Sequence, residues 1–171
     1  MLHSTDRILT THAGALPRSE DLRALVIKKI AGEDLDEAAL EAELPGAVAD
    51  IVRRQAEAGM DSVNDGELSK FNFTTYVRER ISGYELRENT GDGRFTLEMT
   101  ARDRQKFPEY FDSHSTTPSR VVKMKTAVCV DDIAYVGHNA LNRDLANFRA
   151  ALDAVDVTEG YLPANTPGTI E

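Results

Sequence analysis

Two short segments carry side chains and backbone suited to holding a small zwitterion. The first is Thr10-Thr-His-Ala-Gly-Ala-Leu-Pro-Arg18 and the second contains Asp65-Gly-Glu67. Ala13, Gly14 and Ala15 have side chains too small to screen their backbone, so their amides can approach a ligand closely. Exposed N–H donors of that kind suit a carboxylate. Asp65 and Glu67 flank a glycine, and a carboxylate there can grip an ammonium group through a charge-assisted hydrogen bond. One rim for a carboxylate and one for an amine describe an amino-acid site, with His12 and Arg18 as further substrate-binding candidates. Plainer readings stand beside these. Gly14 can simply shape a turn, Asp65 and Glu67 can be solvated loop acids, and His12 can be a hydrogen-bonded packing residue. Arg18 can pair with Glu20 or Asp21, and Asn72, Phe73 and Tyr76 can be helix packing.

The elements that would position these residues alternate along the chain. Arg7 to His12 is β-branched and closed by Ala13-Gly14, which predicts a strand running into a loop. Ser19 is placed to cap a helix carrying Leu22, Leu25, Val26 and Ile30, which Gly32 ends. The acidic stretch Glu33 to Glu43 predicts a shorter helix capped by Asp36. Pro45 and Gly46 read as breakers before a second helix through Val48, Ile51 and Val52, stopped by Gly59. Met60 to Asn64 predicts the next strand, Asn72 to Ile81 a helix, and Thr90 to Arg94 a turn. Ala127 to Val130 and Ile133 to Val136 bracket Asp131-Asp132 as a hairpin. Leu141, Leu145, Phe148 and Leu152 share a helical face with Asn139 as cap, and Val157 to Leu162 is a last strand before a turn-rich tail. Strands alternating with helices imply parallel pairing through crossovers. The fold class expected is α/β, and both polar segments fall where a strand ends and its loop begins.

Composition narrows the partners. With a formal charge of −9 and no run of Lys and Arg, the chain lacks the basic face that nucleic acid needs. No stretch of about 18 apolar residues predicts a membrane span. The single cysteine, Cys129, excludes an internal disulfide and reads as a small buried hydrophobe between Val128 and Val130. The expected location is the cytoplasm, since Met1 to Asp6 carry no signal-peptide pattern.

Thr-Thr-His-Ala-Gly-Ala-Leu-Pro-Arg together with Ala58-Gly-Met-Asp-Ser-Val-Asn-Asp-Gly-Glu-Leu-Ser-Lys70 resembles the opening of the short, single-barrel branch of the cobalamin-independent methionine synthase family. The resemblance implies the amino-terminal half of a TIM (β/α)8 barrel over residues 1–171, with parallel strands and a hairpin-containing excursion. It implies methyl transfer from a methylated folate to a zinc-bound thiol such as homocysteine. Ala13, Gly14 and Ala15 would then meet the amino acid through backbone, and Glu67 would bind its amine. The better-studied methionine synthases carry Ser where this chain has Ala15 and His where it has Asp65.

The zinc ligands of that family, a His-x-Cys motif with a Glu and a second Cys, come from the carboxy-terminal half. This chain has His3, His12, His114, His138 and Cys129, none in a His-x-Cys pair. It is expected to be truncated, to supply amino-acid-binding loops without metal ligands, and to be inactive in transfer by itself. Its partners would be a small-molecule thiol amino acid and, across its open sheet edges, a second copy or a complementary half-barrel chain. The rival readings are a non-catalytic half-barrel module for binding or assembly, a transferase acting on another thiol, and a metal-free, decarboxylase-like barrel using His12 and Glu67 as acid and base.

Overall fold

The structure is a computed structural model describing residues 3–31, 33–87, 102–103, 105–113 and 126–166. The chain divides into two compact units, Met1–Arg80 with Tyr135–Glu171, and Ile81–Ala134. It is mixed α/β with short parallel and antiparallel strands, and no closed barrel is seen among the described residues.

In the first unit, α1 (Glu20–Ala31) starts where Ser19 Oγ accepts from the Leu22 amide at 3.2 Å, the cap expected from the sequence. The Asp36 carboxylate likewise accepts from the Ala39 amide at 3.0 Å and opens α2. That helix then runs unbroken from Glu37 to Glu57, so Pro45 and Gly46 do not separate two helices. A proline inside a helix costs about 3 kcal/mol through its missing N–H and its ring clash. Against this, Leu40, Leu44, Val48, Ile51 and Val52 form one buried stripe, each worth roughly 1.5–3 kcal/mol. The stripe wins. Because Pro45 itself is exposed, Pro45→Ala is expected to raise stability by about 1–3 kcal/mol in urea denaturation, as the bond to the Glu41 carbonyl becomes available. A loss of stability would show that the ring, not the stripe, fixes the helix path.

Three parallel segments follow the expected order. Thr11 bridges Ser62, and β1 (Ser62–Val63) pairs with β4 (Glu159–Gly160) in the register Ser62 to Glu159 and Val63 to Gly160. The strands are shorter than the apolar runs that mark them. Val63 and Gly160 share a face, on which Val63 is fully buried and a Cβ on Gly160 would press within 2.8 Å of Leu152. That face carries α2 and, at its side, α5 (His138–Leu152). Ser62 and Glu159 occupy the opposite, polar face.

Helix α5 turns differently from its apolar pattern. Phe148 and Ala151 enter the core, but Leu145 is 47% exposed and Asp144 is buried in its stead. Asp144 accepts from Arg80 at 2.7 Å, at the end of the segment that follows α3 (Phe73–Arg78). Gly137, and not Asn139, occupies the cap position of α5, with no side-chain cap; the Arg80 side chain packs where a Cβ of residue 137 would be.

An ion pair ties the amino terminus to β1. Arg7 donates to Asp61 at 2.8 Å, and the Thr10 amide and hydroxyl add bonds at 2.8 and 3.1 Å. The hydrogen bond from Arg7, helped by the Thr10 amide, holds the Asp61 carboxyl well below the usual carboxylate range. A carboxyl that titrates lower when folded stabilises fully above its unfolded value near about 3.9, and that stabilisation fades as pH falls through the acid range. Asp61→Asn is therefore expected to lower the melting temperature at neutral pH and to flatten its fall under acid. Thermal melts across the acid range check this, and an unchanged acid profile would place the titration elsewhere.

The second unit holds β2 (Tyr84–Arg87) antiparallel to β3 (Thr126–Cys129), with α4 (Pro108–Ser113). The hairpin expected between 127–130 and 133–136 is not formed. Tyr84 instead faces Cys129 in register, and the Gly83 carbonyl accepts from the Val130 and Asp131 amides at 2.9 and 3.1 Å. Gly83 can do this because it has φ +89° and no Cβ to strike the Asp132 carbonyl. Cys129 is exposed, contrary to the buried reading, since its strand lies in a two-stranded sheet. The turn expected at 90–94 lies outside the described residues.

Candidate functional site

The carboxyl ends of the three parallel segments meet through side chains. Asn64, fully buried just past β1, donates to the His12 carbonyl at 2.7 Å and to the Tyr161 hydroxyl at 3.2 Å. Tyr161, just past β4, also donates to the His12 carbonyl. Gln55 of α2 clamps the other side of Asn64, donating to its carbonyl at 2.8 Å and accepting from its amide at 3.1 Å. One carbonyl thereby gathers three strand ends, and the imidazole above it keeps Nε2 buried without a hydrogen-bond partner among the described residues.

The two rims singled out in the sequence are joined directly. The Leu16 amide donates to the Gly66 carbonyl at 3.0 Å, and the Asn64 carboxamide oxygen accepts from the Gly66 amide at 2.8 Å. Gly66 has φ +65°, and a Cβ there would lie 3.2 Å from Ile51 and 3.3 Å from Leu16. On the other rim Gly14 has φ +96° with open space where a Cβ would stand, between exposed Ala13 and Ala15. The small residues thus leave accessible backbone next to the acidic turn.

The two acids have different neighbours. Asp65 is 3% exposed and committed: it accepts from Lys70 Nζ at 3.1 Å and from the Glu67 amide at 3.0 Å. Lys70, also buried, extends to the Pro163 carbonyl at 3.4 Å and lies 5.2 Å from the centre of the Tyr76 ring. The same ring has Arg80 on it at 4.1 Å, and burial pushes the Tyr76 hydroxyl up, opposed by the Arg80 charge. Tyr76 therefore has two cations near its ring.

Glu67 is 5% exposed, yet its Oε1 has no hydrogen-bond partner among the described residues, and the same holds for Ser69 Oγ. An unmet buried carboxylate oxygen is costly, so Oε1 calls for a donor, whether a bound water or a ligand group. Glu67 also has φ +55°, a left-handed conformation that costs an L-residue roughly 1–2 kcal/mol.

Arg18 binds neither Glu20 nor Asp21. Its Nε donates to the Leu68 carbonyl at 2.9 Å, and one terminal nitrogen donates to the Glu67 carbonyl at 2.7 Å and to the Lys70 carbonyl. Burial lowers its pKa, while the Glu67 and Asp65 charges act in the opposite sense.

The turn thus offers a carboxylate oxygen without a partner among the described residues, next to the small-residue segment Ala13–Ala15. Asn64, Lys70 and Tyr161 escaped the sequence reading. Asn64 and Lys70 lie inside the quoted motif, but Tyr161 is 97 residues from its partner Asn64 and carries no local signal. A metal centre is another matter. Among the described residues no group of three or more His, Cys, Asp or Glu is placed to hold a metal ion, and His114 lies outside them. The described donors do not fit a zinc-thiolate site.

A polar site at the strand ends of a parallel α/β layer is a place where small molecules are bound. No family model matches the chain. A methionine synthase of Sulfolobus acidocaldarius is 36% identical over 81 residues, covering 45% of this chain and 22% of that protein. The relationship is distant and partial, and the matched segment spans about a fifth of that relative. No helix among the described residues is long and apolar enough to cross a membrane.

Proposed function

We propose that this chain forms the amino-acid-holding part of a thiol methyltransferase related to methionine synthase. In that reading its parallel segments are the first three strands of a TIM barrel. Helices lie on one face of the sheet, polar residues on the other, and the binding groups at the carboxyl ends, where barrel enzymes place their sites. The single observation that carries the reading is the buried Glu67 carboxylate with an unmet oxygen, beside small-residue backbone. Homocysteine is the expected amino acid, with Glu67 on its amine and the Ala13–Ala15 amides on its carboxylate. A zinc ion to activate the thiol and a methylated folate to supply the methyl group would be met by residues beyond those described, and this chain would hold and orient the acceptor.

Calorimetric titration with L-homocysteine, L-methionine and N-acetyl-L-methionine tests the proposal. Both free amino acids are expected to bind and the acetylated one, lacking the ammonium, is not. Equal binding of all three, or of none, would discard it.

A second role, assembly with a complementary half-barrel chain, is favoured by an open apolar groove of about 580 Å3 between α5 and the strand end, lined by Leu145, Phe148, Leu152 and Leu162 among others. Parallel sheets are ordinarily covered on both faces and closed at their edges. A folded, thermally stable monomer at every concentration in sedimentation velocity would remove that role.

A further inference from the structure

We propose that Arg18 is a positioning residue for Glu67: it gathers the carbonyls of Glu67, Leu68 and Lys70 and so locks the left-handed turn that presents the uncommitted carboxylate oxygen. The turn reverses the chain within a few residues, with the Lys70 amide donating to the Glu67 carbonyl at 3.0 Å and the Leu68 amide to the Asp65 carbonyl at 3.4 Å. Reversal points the carbonyls of residues 67, 68 and 70 toward one spot, and the Arg18 guanidinium fills it. Clustered carbonyl dipoles repel unless a donor lies among them, and a guanidinium offers a planar fork of N–H groups at fixed angles.

The choice of partners matters as much as the cation. Asp65 is occupied by Lys70 and by the Glu67 amide. Arg18 spends its donors on backbone, and the buried Glu67 Oε1 has no partner among the described residues. Burial lowers the Arg18 pKa and the charges of Glu67 and Asp65 oppose that, while its guanidinium bonds go to the carbonyls of residues 67, 68 and 70. A side chain that fixed Glu67 by its carboxylate would block the group it served. Fixing the backbone avoids this.

The functional half of the inference rests on the amino-acid reading above, and the structural half on the turn alone. Arg18→Met and Arg18→Lys are compared with the natural chain by calorimetry with L-methionine and by urea denaturation, with circular dichroism to verify folding. Each variant is expected to weaken L-methionine binding by about tenfold or more, Lys less than Met because a single ammonium cannot reproduce the fork. Wild-type affinity in a folded Arg18→Met, or in Arg18→Lys should Met not fold, overturns the positioning role while leaving the amino-acid site intact. If the natural chain does not bind L-methionine, the amino-acid reading fails, and the turn is judged by coupling. Glu67→Gly tolerates a positive φ, so Arg18→Lys should lower the urea midpoint clearly less in the Glu67→Gly background than alone. Additive shifts would overturn the inference.

Discussion

Replacing Glu67 by Gln is expected to weaken binding of a free α-amino acid by about 1.5–3 kcal/mol, roughly ten- to a hundredfold in Kd. The side chain keeps its shape and one carbonyl oxygen but loses the charge that makes the bond to an ammonium strong. Oε1 has no internal partner among the described residues, so the substitution breaks no bond there, and removing a buried charge should leave stability unchanged or raise it. That contrast separates a ligand group from a structural one: affinity falls and the urea midpoint does not. Calorimetry with L-methionine beside a denaturation curve reads both. Should affinity hold and stability fall, Glu67 would be part of the scaffold and the amine would be held elsewhere.

The opposite pattern is expected one turn away. Lys70 and Asp65 are 3% and 5% exposed at the side chain and 3.1 Å apart. Two opposite charges taken out of water offset each other, but removing one leaves the other buried and unpaired, at a cost of about 3–5 kcal/mol. Lys70→Met should approach that figure, because it also empties the contacts to the Pro163 carbonyl and the Tyr76 ring. Asp65→Asn should cost somewhat less, since the new carboxamide oxygen can still accept from the Glu67 amide. With about 5–15 kcal/mol as the usual total for a domain, either change threatens folding. The double variant is expected to recover much of the loss, because no lone charge remains. A double-mutant cycle in urea checks it, and single effects near zero would mean that water reaches the pair.

The two acids flanking Gly66 differ in their partners. The sequence presents them as equivalent, two carboxylates around a glycine. Their partners distinguish them: Asp65 has Lys70 five residues on, within reach because the turn folds back, and Glu67 has its backbone held while its Oε1 has no partner among the described residues. Sequence spacing put both acids at the strand end and could not say which one a neighbouring amine would take.

Short-range physics was readable from the chain. The caps at Ser19 and Asp36 work over three residues, and the apolar spacing of α2 marks the stripe that enters the core. The placement of His12, Asp65 and Glu67 at strand ends follows from the same local patterns. Pro45 misled because a breaker's cost is local while the stripe that outweighs it spans the whole helix. Leu145 misled because periodicity shows which residues are apolar and not which face meets a neighbour; Arg80 drew Asp144 inward and turned Leu145 out.

The amino-acid sequence by itself therefore determined the alternating elements and the chemistry offered at their ends, since both depend on residues a few positions apart. Only the tertiary structure decided the rest. Which acid is free, what Arg18 holds and how Tyr161 reaches across to His12 and Asn64 all depend on parallel strands coming into register, and β1 and β4 are separated by a long stretch of chain whose own composition carries no trace of that pairing.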